Sequence, residues 1–181
     1  MSRPDPAHPP TRQCGDCAMC CHLGEIVDFK PYNQWCQFCS THQGCDIYQT
    51  RPQLCRDFFC HYLLSDIGEE WRPLTCHMVV STYTEPTRLN ISVDPAFPDI
   101  WRQEPYLAQI IHWSNFGAVT VMVGEYAFAA YPDRIDALGE MTADHTLLII
   151  EQETRAGLRY QVKRVLRSEA DAQTSAINTP N

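Results

Sequence analysis

Nine of the ten cysteines fall between Cys14 and Cys60, and that crowding constrains the fold more than any other feature. So many thiols in one short segment admit two solutions, a disulfide framework or a set of metal ligands. The first ten residues contain four prolines and no apolar run, so they do not read as a secretory signal. The expected address is therefore the cytoplasm, a reducing compartment in which structural disulfides rarely persist. The expectation shifts accordingly from bridges to thiolate ligation of metal.

Spacing sharpens this. Two thiolates separated by two residues clasp one ion because a tight turn brings both sulfurs to the same side, at roughly 2.3 Å from zinc. Cys14/Cys17 and Cys36/Cys39 form two such pairs, eighteen residues apart, which is a zinc-site spacing. Cys20, Cys21, Cys45, Cys55 and Cys60 remain, enough for a second four-coordinate site with one thiol left over. Adjacent Cys20 and Cys21 diverge, so they serve separate sites or one is simply buried. Iron is the alternative, since Cys14, Cys17 and Cys20 open like a bacterial ferredoxin run. That run is incomplete, because Cys21 and His22 follow where x3-C-P would stand. Zinc is the preferred metal and an iron–sulfur cluster the alternative, both compatible with soft thiolate ligands.

Cys14 to Cys21, Cys36/Cys39 and the run Gly44-Cys45-Asp46-Ile47-Tyr48-Gln49-Thr50-Arg51-Pro52-Gln53-Leu54-Cys55-Arg56-Asp57-Phe58-Phe59-Cys60 resemble the bacterial CxxCxxCC cysteine-cluster family, the YkgJ-type zinc- or iron-chelating domain. The resemblance covers residues 14–76, and the remainder looks like the extension of a proteobacterial branch. It implies a bacterial cytoplasmic protein of an uncharacterised family, with metal bound at Cys14, Cys17, Cys20, Cys21, Cys36, Cys39, Cys45, Cys55 and Cys60. A flagellin lysine methylase has a similar cysteine pattern, but this chain has no glycine-rich nucleotide loop and that activity is not transferred.

Other polar residues fit plainer roles. Cys76, fifteen residues after Cys60, reads as a small buried side chain. His22, His42, His61 and His77 lie near cysteines and could complete a mixed site, but nine thiols make none of them necessary. His112 reads as an ordinary partly exposed side chain. Arg51 and Arg56 flank Cys55, where a guanidinium could offset thiolate charge; a surface ion pair with Asp46 or Asp57 is the alternative. Asp28, Asp57 and Glu69-Glu70 read as solvated carboxylates, with nothing placing them beside a nucleophile.

Beyond the cysteines the pattern is that of an α+β fold. The reading divides the chain into a disordered leader (1–13), a cysteine-rich, metal-stapled module (14–76), an α+β domain (77–167) and a disordered polar tail (168–181). Helices are expected over 52–64 and 105–116, with Pro52 and Pro105 in their first turns. Strands are expected over 77–83, 88–93, 119–123, 126–131, 145–152 and 158–165, an antiparallel sheet of about six strands with one main helix. Gly124-Glu125 suits a two-residue hairpin turn. The net charge of -8 is spread over both halves, and thiolate-bound zinc would add to it, which argues against nucleic acid as a partner. No apolar run approaches the roughly 20 residues of a membrane helix. Trp101, Trp113 and Phe116, near one helix, leave open a protein-binding adaptor, with core packing as the simpler account. The leading function is structural or chelating metal binding; a redox or protein-modifying iron–sulfur enzyme is the alternative.

Overall fold

The computed structural model describes residues 12–26, 29–40, 44–84, 87–154 and 157–177. The expected leader therefore lies outside the described residues up to position 11, as do Asp28, His42 and the hairpin tips at 85–86 and 155–156.

The architecture is α+β around a five-stranded sheet. The cysteine-bearing half supplies short elements: α1 (Met19–Leu23), a two-residue ribbon of β1 (Cys39–Ser40) and β2 (Gly44–Cys45), α2 (Gln53–Asp57), α3 (His61–Leu64), a 3-10 turn (Glu69–Trp71) and α4 (Pro73–Cys76). The sheet follows with β3 (Met78–Thr84), β4 (Thr87–Val93), β5 (Ala118–Val123), β6 (Tyr126–Tyr131) and β7 (Arg134–Glu140), in that spatial order. Helix α5 (Tyr106–Trp113) joins β4 to β5, and β8 (His145–Thr154) pairs with β9 (Gly157–Leu166) as a separate ribbon ahead of α6 (Arg167–Ile177).

Alternation along the strands sorts side chains onto two faces. Met78, Val80, Ile91, Val93, Val119, Val121 and Ala130 point to one face, where Trp71, Trp101, Tyr106 and Ile110 bury them. On the other face Val79 joins Met19, Leu23, Cys60, Tyr62 and Leu63 of the cysteine-bearing half. Farther along that face Ala118, Ala129 and Tyr131 meet Val162 of the β8–β9 ribbon. The cysteine segment therefore lies against β3 and β4, with the ribbon beside it over β5 and β6.

Four expectations are corrected. The sheet is mixed rather than antiparallel: β4 and β5 run parallel, in register from Arg88↔Ala118 to Val93↔Val123. Residues 94–117 cross the Trp101 face and return the chain to the end where β4 began, which is what a parallel pair requires. Strand β7 was not anticipated, because Arg134, Asp136, Gly139 and Glu140 interrupt its apolar alternation. A bulge between its pairs Ala127↔Gly139 and Phe128↔Ala137 leaves Leu138 extra, and Leu138 packs toward the ribbon face. The helix expected over 52–64 is two short helices, with Phe58 and Cys60 extended at φ/ψ of -86/123 and -72/158. The polar tail forms α6 through residue 177, where Ala, Gln and Glu favour helix and the Glu169 carboxylate accepts the Leu166 amide at 3.3 Å.

The turn at Gly124 is as expected, with φ of 57 at the glycine between strands paired at Val123↔Tyr126. Trp101 is fully buried, Trp113 packs on Trp71 at 4.7 Å, and Phe116 stands 66% exposed. No helix among the described residues is long and apolar enough to cross a membrane.

Candidate metal centre

Both C-x2-C pairs are tight turns. The Cys17 amide donates to the Cys14 carbonyl at 2.9 Å and the Cys39 amide to the Cys36 carbonyl at 3.0 Å, the loop closure that turns paired thiols to one side. Gly15 occupies the first turn at φ of 57. The first turn approaches β2 at glycines: Gly44 has φ of 89, and a Cβ there would sit 3.1 Å from the Gly15 carbonyl oxygen. The Cys36 amide donates to the Cys21 carbonyl at 2.9 Å, tying the second turn to the end of the CxxCxxCC run.

The break between α2 and α3 sorts the last two thiols. In one continuous helix Cys55 and Cys60 would point roughly 140° apart at 100° per residue. With residues 58–60 extended, Cys60 interacts electrostatically with Cys14 and Cys17, while Cys55 does so with Cys21, Cys36 and Cys45. Two neighbourhoods result. Cys14, Cys17 and Cys60 gather on one side with Cys20 close by, and Cys21, Cys36, Cys39, Cys45 and Cys55 on the other. Eight of these nine line a single cavity of about 850 Å³, whose wall omits Cys39.

All ten cysteines are free thiols, and burial governs most of their titration. It pushes Cys14, Cys17, Cys45 and Cys55 up, Cys60 to about 11 and Cys39 to about 12. Cys21 runs the other way, to about 6, because the Cys20 thiol donates to it, Cys39 adds a second hydrogen bond, and Lys30 and Arg51 supply positive charge. Cys21, at the junction of the two neighbourhoods, is thus the thiol whose environment most favours loss of its proton.

The cations are fixed by backbone carbonyls. Lys30 is 4% exposed, and its amine donates to the carbonyls of His22 (2.9 Å), Pro31 (2.6 Å) and Gly24. Arg51 stacks on Tyr48 at 3.7 Å and donates to the Tyr48 and Cys55 carbonyls, so of the two arginines it is the one turned toward the thiols. Arg56 is exposed. In the sequence Lys30 is only a lone lysine between Phe29 and Pro31, with no local signal for this role.

The three described histidines near cysteines, His22, His61 and His77, each have an aromatic partner. His22 stacks on Trp35 at 4.5 Å and His77 on Phe97 at 3.7 Å, and their Nδ1 atoms lie 3.8 and 3.9 Å from one Asp94 oxygen. Asp94 went unnoticed in the sequence because it is remote from every cysteine. His61 meets the edge of Trp113 at 5.3 Å. Cys76 is fully buried, with its thiol donating toward the Trp71 and Met78 carbonyls, a small core residue as expected.

Soft, clustered thiols are the donor chemistry of zinc and iron–sulfur sites, so the donor set fits such a group. Among the described residues no three His, Cys, Asp or Glu side chains stand close enough together to grip an ion without moving, so coordination requires the sulfurs to close inward. Comparison of the chain with protein-family models, curated proteins and solved structures found no match.

Proposed function

We propose that the chain is a cysteine-cluster metal-binding protein, of the YkgJ type that its motif resembles, holding one or two metal ions through thiolates in a structural or chelating role. The observation that carries this reading is the convergence of eight motif cysteines on one cavity wall. The division of neighbours supports two centres. Cys14, Cys17, Cys20 and Cys60 serve one; Cys21, Cys36, Cys45 and Cys55 serve the other, with Cys39 beside it. Bound zinc would supply folding free energy through closed four-thiolate coordination. The protein's own part is to deprotonate and orient the sulfurs: Lys30 and Arg51 lower the cost of gathering negative charge at Cys21, and the paired turns aim the thiols inward.

Elemental analysis and the visible spectrum of anaerobically purified protein test the reading. Zinc in whole-number stoichiometry with a colourless solution is the expected result, and Cys14→Ser and Cys36→Ser should each lose metal and order together. A folded, fully metallated Cys14→Ser protein would sink the proposal. Brown protein with comparable iron and acid-labile sulfide would move the same ligands to the iron–sulfur reading, which the Cys14, Cys17, Cys20 run favours.

A further inference from the structure

We infer that Cys39 and Cys45 form a reversible cross-strand disulfide, and that this bridge withdraws Cys45 from the centre it shares with Cys21, Cys36 and Cys55 and so releases the ion held there. This rests on the metal-binding reading of the cluster and extends it from holding an ion to giving it up on oxidation.

Register is the first argument. Cys39 of β1 stands directly opposite Cys45 of β2, and the Asp46 amide donates to the Phe38 carbonyl at 2.9 Å. A bond between the residues flanking the two cysteines makes them a non-hydrogen-bonded pair, the narrow kind, with Cα atoms about 4.5 Å apart and side chains on one face. A disulfide needs roughly 4.4–6.8 Å between Cα atoms, so the ribbon already holds this pair at bridging distance. Access is the second argument. Cys39 and Cys45 are both half-buried and within reach of a small oxidant, whereas Cys36, the partner of Cys39 in the C-x2-C turn, is buried. The third is supply of ligands. Cys39 is the one motif cysteine off the cavity wall, the ninth thiol where two centres take four each. A bridge to Cys45 therefore removes a ligand together with the thiol that would replace it. Cys21, Cys36 and Cys55 are left as three donors where closed coordination takes four.

The oxidant is a small organic disulfide, and the chemistry is two exchanges. The Cys45 thiolate attacks one sulfur of the oxidant, forming a mixed disulfide as the oxidant's S–S bond breaks and its other half leaves as thiolate. The Cys39 sulfur then attacks Cys45, losing its proton to the second leaving thiolate as the mixed disulfide breaks. Two electrons pass from the cysteine pair to the oxidant, which ends as one thiolate and one thiol. A half-exposed bridge of this kind is the readily reduced class, so a dithiol reverses the reaction.

The experiment equilibrates the full, zinc-loaded chain with mixtures of bis(2-hydroxyethyl) disulfide and 2-mercaptoethanol. Free thiols are blocked with N-ethylmaleimide, unreduced peptides are mapped by mass spectrometry, and released zinc is read with 4-(2-pyridylazo)resorcinol. Cys39–Cys45 should be the first bridge to form, with one zinc ion released per bridge, and dithiothreitol with added zinc should restore both. Cys39→Ala stops at the mixed disulfide, which 2-mercaptoethanol cleaves. Without the intramolecular second step, its zinc, measured against its own starting content, should need a mixture about tenfold or more richer in disulfide before it leaves. The wild-type map decides the inference on its own if that variant fails to load zinc. A first bridge at Cys21–Cys39 or Cys36–Cys39, a Cys39–Cys45 bridge with zinc retained, or release from Cys39→Ala at the wild-type ratio would each overturn the inference. Protein that forms the Cys39–Cys45 bridge but never acquires metal would instead overturn the metal-binding reading, so the two failures are distinct.

Discussion

Lys30 is the residue on which the thiol-bearing loops depend. A buried ammonium is disfavoured, and desolvation accordingly pulls its pKa down while the charges of Cys36 and Cys21 push it back up. It is held by giving all three of its protons to the His22, Gly24 and Pro31 carbonyls. Lys30→Met keeps the aliphatic stem and removes those donors, so unfolding should become about 1–3 kcal/mol easier, measured as a lower denaturant midpoint at unchanged slope. An unaltered midpoint would mean the three carbonyls are satisfied by water instead. Tyr106 gives a second test, remote from the cysteine motif. Its hydroxyl donates to the Glu70 carbonyl at 3.1 Å and burial raises its pKa. The folded state therefore keeps this proton at pH values where the unfolded chain releases it. The hydroxyl's contribution is complete below about pH 10, the ordinary tyrosine value, and is lost as pH rises through the folded value. Wild type should exceed Tyr106→Phe in stability by about 1 kcal/mol near neutrality, and the difference should shrink above pH 10. A constant gap would show that the hydroxyl is not protected from titration.

Among the elements, the parallel β4–β5 pair depends on one close approach. Gly117 ends the crossing that contains α5, and a Cβ built on it would lie 2.9 Å from the Thr87 carbonyl oxygen at the start of β4. From the sequence this glycine reads as a helix stop; in the fold α5 has already ended at Trp113, and the glycine instead lets one strand enter beside another. Gly117→Ala should cost about 1–3 kcal/mol through the backbone shift it forces, lowering thermal stability, while Gly124→Ala, with nothing within 4 Å of its Cβ but φ of 57, should lose about 1–2 kcal/mol through backbone strain alone. The contrast is testable by repacking: trimming Thr87 to Gly should recover part of the Gly117→Ala loss and none of the Gly124→Ala loss. The α2–α3 break shows how packing overrules local pattern. Leu54, Phe58, Phe59, Tyr62 and Leu63 have mostly helical spacing, but Phe58 and Phe59 pack against the cluster of Met19, Leu23 and Tyr62, and the chain straightens to place them there.

For the whole molecule, the cysteine-bearing half contributes few long elements of its own and shares one small apolar cluster with β3. The sheet has an independent core on its opposite face. Stripping metal with a strong chelator should therefore expose the amides of residues 14–60 to hydrogen exchange while those of β3 to β6 stay protected. Equal protection before and after chelation would detach the metal from the fold. The amino-acid sequence by itself determined which residues are the candidate metal ligands, because thiol chemistry and two-residue spacing are local properties. It likewise determined β3, β4, β5, β6 and the β8–β9 ribbon, whose apolar alternation or β-rich composition is local too. The tertiary structure alone decided that Cys60 faces Cys14 and Cys17 while Cys55 faces Cys45, since that follows from a helix broken by packing. It also decided the parallel crossing and the strand β7, which depend on partners far along the chain. Lys30 and Asp94 became significant only in the fold, because a buried charge is defined by what surrounds it, and the sequence carries no record of those surroundings.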